Sequence, residues 1–184
     1  RNVLWFLCLA TGCSSYLGRA RSIDPREIEG SPGWRSASGV SCVRQSRESD
    51  CGLAVASMVL RYWNRDESVD GLPSDPERGV RAGDLRNFVR GRGLKAYLFQ
   101  GEFLDLEREL SRGRPVIVGL VKPDIRGDRM HYEVVVAVHP ARQVVVTIDP
   151  AAGWRQNSYC GFMDEWSPAR RLTLVVFPPE PTSP

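Results

Sequence analysis

The sequence predicts an α+β domain in which helices come first and an antiparallel sheet follows. Apolar side chains recur at helical spacing in the first half of the chain, whereas β-branched runs separated by turn residues dominate after Pro115. The 184 residues are 42% hydrophobic and 26% charged, which is the composition of one globular domain with a single core. Helices followed by strands, rather than an alternation of the two, indicate α+β.

Three helices and one strand are predicted before Pro115. The first helix spans residues 51–63, because its apolar side chains fall on one face, and Ser49 or Asp50 is the expected N-cap. A loop rich in Asp, Pro and Gly follows at residues 64–80. The spacing of apolar residues then predicts a helix at 81–91, a strand at 94–99 and a helix at 102–112.

Four further strands are predicted from β-branched runs at 116–121, 132–138, 144–148 and 172–177. The second and third runs are separated by His139-Pro-Ala-Arg142, which indicates a hairpin and therefore antiparallel neighbours. His139 is interpreted as a turn residue. Residues 178–184 contain no core-forming side chain, and we expect a disordered tail there.

The N-terminus has the layout of a lipoprotein signal. One cation precedes an apolar run at residues 3–10, which is far shorter than the roughly 20 residues that span a bilayer. The sequence Ala10-Thr-Gly-Cys13 is similar to the bacterial signal in which diacylglycerol is transferred to the Cys sulfur before cleavage. We expect a signal peptide at residues 1–12, lipid on Cys13 and a tether at 13–40, which would anchor the protein to a bacterial membrane in the cell envelope, facing the periplasm or the outer membrane.

Charge and motif content argue against several kinds of site. The formal net charge is +3 and the charges are interspersed, so no nucleic-acid partner is expected. The sequence contains no phosphate-binding G-x-x-x-x-G-K-[ST] motif, so no attached ATP-binding domain is expected. It contains no C-x-x-C pair either, and His131 and His139 lie far from any Cys in sequence, so we predict neither a metal nor another cofactor.

The cysteines number five, and their distribution leaves a free thiol. Cys8 falls in the signal and Cys13 is the predicted lipid site, so three remain. Cys42 and Cys160 could pair as a disulfide in an oxidising compartment, which would leave Cys51 unpaired. An unpaired thiol in an exported protein suggests catalysis.

Four residues have the types and positions of a cysteine nucleophile site. Cys51 opens a helix, where unpaired N–H groups and the helix dipole stabilise a thiolate. Gln45, six residues earlier, could donate to an oxyanion beside the backbone N–H of Cys51. In the predicted hairpin the open ends bring His131 near residue 151, and so close to Asp149, which would orient the imidazole as the base.

These residues resemble the papain-like peptidases that cleave bacteriocin leaders after a double glycine. The resemblance covers about residues 40–177 and includes Gln45-x5-Cys51-Gly52, His131-Tyr132, Asp149-Pro150, the segments GDLRNFVRGRGLKAY and RGRPVIVGL, the run DPAAG, and Phe162 before Trp166. It implies a papain-like α+β domain at residues 41–177. It also implies roles for four side chains: Cys51 as nucleophile, His131 as general base and acid, Asp149 as the orienting carboxylate and Gln45 in the oxyanion hole.

Two features differ from the exporters of that family. The sequence shows no membrane-spanning segment after the domain, and it has a predicted export signal before the domain. Double-glycine specificity is therefore not simply inherited. We expect a lipid-anchored cysteine peptidase acting on a peptide or protein substrate. Two alternatives stay open: a papain-like acyltransferase or transglutaminase-like enzyme, which also uses a thioester, and a catalytically silent lipoprotein that binds peptides.

Overall fold

The computed structural model describes residues 20–123 and 127–180. Within these ranges the chain forms four helices and eight strands. The helices are α1 (Cys51–Tyr62), α2 (Ala82–Gly91), α3 (Phe103–Ser111) and α4 (Tyr159–Trp166). The strands are β1 (Arg21–Ser22), β2 (Arg35–Ser36), β3 (Lys95–Gln100), β4 (Val116–Lys122), β5 (Arg129–His139), β6 (Val144–Asp149), β7 (Gly153–Ser158) and β8 (Leu172–Phe177).

All the strands join one antiparallel sheet in the order β1-β7-β6-β5-β4-β8-β3, and β2 pairs with β5 outside this path. The long strand β5 is therefore central and has β4 and β6 as neighbours. Helix α1 packs against β5, α2 against β3 and α4 against β4. The core lies between these helices and the buried β-branched residues of β4, β5, β6 and β8.

The predicted α+β class is confirmed. The three predicted helices and five predicted strands are all present, with ends that differ by no more than three residues. These segments carry strong periodic patterns, and tertiary packing keeps the elements that the patterns favour. Among the described residues, no helix is both long and apolar enough to cross a membrane.

Two elements near the C-terminus were not predicted. Strand β7 has the polar sequence Gly-Trp-Arg-Gln-Asn-Ser, and its pairing with β6 decides its conformation rather than any hydrophobic alternation. Helix α4 is only eight residues long and contains a glycine, but Ser158 caps it by accepting a hydrogen bond from the Gly161 N–H at 3.1 Å. Short elements of this kind are set by their neighbours.

The tether prediction for residues 13–40 is wrong for the part that the structure describes. Residues 20–40 lie on the sheet, where β1 pairs with β7 and β2 pairs with β5. Four apolar side chains of this segment are buried: Ile23, Ile28, Ala37 and Val40. Isolated apolar residues between turns have no periodicity to detect, yet all four pack into the core. Cys13 and the predicted signal peptide lie outside the described residues.

The β5–β6 hairpin confirms the predicted antiparallel pair and determines where His131 and Asp149 lie. A 3-10 turn at Pro140–Arg142 joins the strands, and His139 pairs with Val144 beside it. A bulge between Val135 and Ala137 shifts the register by one residue before Val134 pairs with Ile148. Beyond that pair, His131 and Asp149 lie at the open end of the hairpin.

Candidate active site

Cys51 is the first residue of α1 and is buried, with 5% of its surface exposed. Asp50 occupies the N-cap position, but its carboxylate turns away from α1 and accepts hydrogen bonds from the backbone N–H and the side chain of Arg47 at 3.1 and 3.2 Å. The side chain of Asp50 therefore makes no capping bond to α1. The positive end of the helix dipole is left to act on the neighbouring thiol.

Gly52 allows the start of α1 to approach Val80, in the loop before α2, closely. A Cβ atom at this position would lie 2.6 Å from Val80 Cβ and 3.5 Å from Tyr132 Cδ2. No side chain larger than hydrogen fits there without moving Val80. Tyr132, which follows His131 in β5, lies within ordinary van der Waals distance of the same position.

His131 and Asp149 form a buried pair at the open end of the hairpin. His131 Nε2 lies 2.8 Å from Asp149 Oδ1, and both residues are 1% exposed. The same oxygen accepts a hydrogen bond of 2.7 Å from the Ala151 N–H, which holds the carboxylate in place. An ionised carboxylate can only accept, so Nε2 carries the proton and Nδ1 is the ring nitrogen left for Cys51.

Burial and the two partners of His131 have opposite effects on its charge. Burial lowers the pKa of His131, but hydrogen bonds and charge interactions with Asp149 and Cys51 outweigh this and raise the pKa to about 9. Burial raises the pKa of Asp149, but the hydrogen bonds from His131 and Ala151 outweigh that effect, so the pKa lies below its ordinary value. The site therefore favours an imidazolium beside a carboxylate at neutral pH.

A cleft of about 290 Å³ opens beside the thiol. Its walls are formed by both apolar and charged residues, including Cys51, Val80, Tyr132, Arg78 and Glu48. An ion pair between Arg129 and Glu48 joins the start of β5 to the turn before α1. Cys51 is the only cysteine among the cleft-lining residues, so a bound chain would meet this thiol.

A sequence model of the peptidase C39 family matches residues 40–180. The match spans most of the chain and contains Cys51, His131 and Asp149. The chain belongs to the peptidase C39 family. Membership assigns it to the cysteine peptidases, and the match begins one residue before the predicted domain boundary at 41.

Curated and solved relatives of this C39 domain agree with the family assignment. The chain is 27% identical to the lacticin-481/lactococcin-DR transport/processing ATP-binding protein of Lactococcus lactis subsp. lactis, over 74% of the chain but only 21% of that protein. It thus spans about a fifth of the length of that relative.

Three solved structures share the fold. The peptidase domain of Streptococcus ComA has a TM-score of 0.64 at 21% identity, covering 77% of this chain and 100% of that one. A double glycine motif protease from an AMS/PCAT transporter, solved with its leader peptide, has a TM-score of 0.60 at 21% identity, covering 79% and 96%. A C39-like peptidase from Bacillus anthracis has 0.61 at 16% identity, covering 78% and 97%. These likenesses support the predicted papain-like fold.

The backbone of Gln45 lies near Asp149, but Gln45 lines a different depression from the one that Cys51 lines. Its backbone N–H donates to the carbonyl of Pro150 at 3.1 Å, which joins the segment before α1 to the residue after Asp149. The depression that Gln45 lines is a neighbouring one of about 210 Å³, formed with Asp50 and Ser57. Its backbone is thus near the pair, while its oxyanion role stays a prediction.

The remaining sequence predictions have mixed outcomes. His139 is the last residue of β5 and accepts a hydrogen bond of 3.3 Å from the Arg142 N–H, which confirms it as a turn residue. Cys42 and Cys160 are both free thiols, so the disulfide suggested from the sequence does not form in this structure. Lys122 is the buried last residue of β4.

Sequence reasoning missed the charged residues behind the pair. Lys122, Glu133 and Glu165 are buried and lie together, with the Lys122 ammonium 2.8 Å from Glu133 Oε1 and 2.5 Å from Glu165 Oε2. Two signals were available. Lys122 is one of only two lysines among 25 basic residues, and Glu133 interrupts an otherwise apolar strand two residues after His131.

Proposed function

We propose that this C39 domain hydrolyses peptide bonds, with Cys51 as nucleophile, His131 as general base and acid, and Asp149 as the carboxylate that orients the imidazole. The observation that supports the proposal is a continuous chain of side-chain contacts: Cys51 hydrogen bonds with His131, and His131 Nε2 hydrogen bonds with Asp149 at 2.8 Å. Nucleophile, base and orienting group in this order are what thiol acyl transfer requires.

The reaction proceeds in two halves. The Cys51 thiolate attacks the scissile carbonyl carbon, and the carbonyl electron pair moves to oxygen, where the Cys51 N–H and the Gln45 amide donate hydrogen bonds. Collapse breaks the C–N bond, and the His131 Nδ1 proton goes to the leaving amine, which leaves a thioester. His131 then takes a proton from water, the hydroxide attacks the thioester, and the carboxylate product leaves as the thiolate returns.

The substrate is a peptide or protein segment that lies extended in the cleft beside Cys51. One solved relative is a double glycine motif protease crystallised with a leader peptide, so peptides containing Gly-Gly are the first to test. Val80 and Tyr132 close against Gly52 next to the nucleophile, which favours small residues beside the scissile bond. A matched peptide with Val in place of the second Gly provides the control.

The test is peptide cleavage followed by mass spectrometry, with the wild type, Cys51→Ala and the matched control Cys160→Ala. Cys160 is exposed and lies outside the cleft lining, so its substitution should leave cleavage unchanged, whereas Cys51→Ala should abolish it. Cleavage that survives Cys51→Ala would contradict the proposal. Transfer of the acyl group to an added amine in preference to water would show that the enzyme is an acyltransferase instead.

We further propose that Cys13 carries a lipid and anchors the peptidase to a bacterial membrane in the cell envelope. The sequence Ala10-Thr-Gly-Cys13 after an apolar run supports this. In cells expressing the protein, the wild type should sediment with membranes and Cys13→Ser should be released from them. Membrane association that persists in Cys13→Ser would show that lipid on this residue is not the anchor.

A further inference from the structure

A buried ion cluster lies directly behind the His131–Asp149 pair. Lys122 and Glu133 have side chains that are 2% exposed, and the side chain of Glu165 is 7% exposed. Lys122 comes from the end of β4, Glu133 from β5 and Glu165 from α4, so the ammonium joins three elements. Charges buried this deeply are retained only where paired, and the pairing is worth less to stability than an apolar core would be.

Glu133 is close enough to His131 and Asp149 to interfere with them. His131 and Glu133 are two residues apart on β5 and therefore project from the same face. Val134 pairs with Ile148, so Glu133 and Asp149 are the next residues along the two strands. One ring nitrogen of His131 and one carboxylate oxygen from each of Glu133 and Asp149 lie within 4.8 Å of one another.

The second carboxylate oxygen of Asp149, Oδ2, could form a hydrogen bond with Glu133. Oδ1 binds His131 and the Ala151 N–H, whereas Oδ2 is buried without a hydrogen-bond partner among the described residues. A Glu133 carboxyl that picked up a proton could donate to Oδ2, and an ionised one could compete for the His131 N–H. Either contact would change the hydrogen bonding between Asp149 and His131, the proposed base.

We propose that Lys122 is a positioning residue for the peptidase site: its ammonium, clamped between Glu133 and Glu165, holds Glu133 away from His131 and keeps Asp149 as the carboxylate that orients the imidazole. This inference depends on the proposed roles of His131 and Asp149. His131, Glu133 and Asp149 also have the chemistry of a cation site, because each offers one ligand atom within 4.8 Å of the others. The Lys122 ammonium already supplies the positive charge there, at 2.8 Å from Glu133.

The ammonium also acts on the pair through its charge. Burial raises the pKa of Asp149, and the positive charge of Lys122 is one of the interactions that lower it again. Without Lys122, Glu133 and Asp149 would be two buried carboxylates side by side, and such a pair retains a proton to higher pH. The titratable groups around the pair come from several elements: Cys51 of α1, Cys42 of the preceding loop, Lys122 of β4, Glu133 of β5 and Glu165 of α4.

The experiment is the pH dependence of iodoacetamide labelling at Cys51 in the full chain, resolved by mass spectrometry. The acid limb of the profile is the pH range in which labelling slows as the pH falls. We expect Lys122→Met, which keeps the length of the side chain but removes the charge, to move this limb to higher pH by about one unit or more. Adding Glu133→Gln should return the limb toward the wild-type position, whereas adding Glu165→Gln should not. Lys95→Met, at the exposed second lysine, is the matched control and should leave the profile unchanged.

Two results would overturn the proposal: a folded Lys122→Met variant with the wild-type acid limb, or restoration by Glu165→Gln as complete as that by Glu133→Gln. If Lys122→Met fails to fold, Glu133→Gln alone decides, because it leaves Lys122 with less negative charge beside it. The acid limb should then move to lower pH, and an unmoved limb would contradict the inference.

Failure of the proposed function gives a different result. If Cys51 of the wild type shows no enhanced labelling below pH 7, the assigned nucleophile is wrong. The titration of the His131 imidazole, followed by NMR, still tests the positioning role in that case. Loss of the nearby positive charge in Lys122→Met should raise the pH at which His131 titrates, with His139 as an internal reference. An unchanged His131 titration would contradict the inference.

Discussion

The two ends of β5 each carry a buried histidine, and the histidines differ in their partners rather than in their burial. His131 is 1% exposed and His139 is 6% exposed. His131 meets a carboxylate and a thiol, whereas His139 accepts a backbone N–H from Arg142 and packs edge-on against Trp34 at 5.2 Å. The partners decide which of the two imidazoles can move a proton during a reaction.

At the His139 end of β5, the ring is covered closely by Gly33. A Cβ there would lie 2.7 Å from His139 Nε2, so the N-terminal segment covers this ring closely. At the first end a cleft of about 290 Å³ opens next to Cys51 instead. The His139 end of the strand is closed by packing, whereas the His131 end borders a cleft.

The largest expected difference between the two ends is in turnover. His131→Ala removes the proposed base and should lower peptide cleavage by about 10³-fold or more, as Cys51→Ala should. It should have little effect on packing at the His139 end of β5. His139→Ala should cleave at close to the wild-type rate and lose about 1–3 kcal/mol of stability through the lost hydrogen bond and packing. The checks are single-turnover cleavage and urea unfolding. Equal losses of cleavage in the two variants would erase the proposed distinction.

A smaller loss of cleavage is expected when the proposed orienting group, Asp149, is changed and the proposed base, His131, is kept. Asp149→Asn should reduce cleavage by about 10²-fold, because the imidazole remains but its tautomer and direction are no longer held. The Ala151 N–H should still find the amide oxygen, so folding should survive. Steady-state kinetics with a Gly-Gly peptide measures the effect, and a loss as large as that of Cys51→Ala would mean that Asp149 is more than an orienting group.

The packing of α1 on the first end can be tested with two glycines in helices. Gly52→Ala places a Cβ 2.6 Å from Val80 Cβ and should cost about 1–3 kcal/mol through overpacking, with a parallel loss of activity. Gly83→Ala in α2 meets nothing within 4 Å and should be neutral or stabilise by up to about 1 kcal/mol. Urea midpoints of the two variants compare them directly. A neutral Gly52→Ala would show that the helix start tolerates displacement.

The last comparison concerns the pH dependence of stability at the His131 end of β5. The folded pKa of His131 is raised to about 9, so its contribution to stability is complete below about 6.5 and is lost as the pH rises through about 9. The pKa of Asp149 is lowered, so its contribution is present above about 4 and is lost on acidification. Urea unfolding between pH 6 and pH 9.5 should show a decline in the wild type that His131→Ala lacks. Parallel curves would contradict this.

The sequence predicts much of the frame around both ends of β5. Helix α1 and the β5–β6 hairpin carry clear periodicity, and the hairpin count placed His131 near residue 151, which the register of Val134 with Ile148 agrees with. The bulge after Val135 could not be foreseen, because it depends on packing across the sheet.

The parts that were missed share one physical cause, since long-range contacts create them. Residues 20–40 contribute single buried side chains without a pattern, and β7 is polar. The clamp of Lys122 by Glu133 and Glu165 joins three elements that are up to 43 residues apart, and nothing local requires it. In the composition, the one signal for this ion cluster is the scarcity of lysine.

Site-resolved alkylation tests the central claim most directly, since it needs no substrate. The rate of iodoacetamide labelling at Cys51 is measured against pH in the wild type, His131→Ala and His139→Ala. Cys42, whose pKa is raised by burial, is the reference within the same sample. The account predicts fast labelling of Cys51 well below pH 7 in the wild type and His139→Ala, and its collapse in His131→Ala. Identical profiles in all three proteins would contradict it.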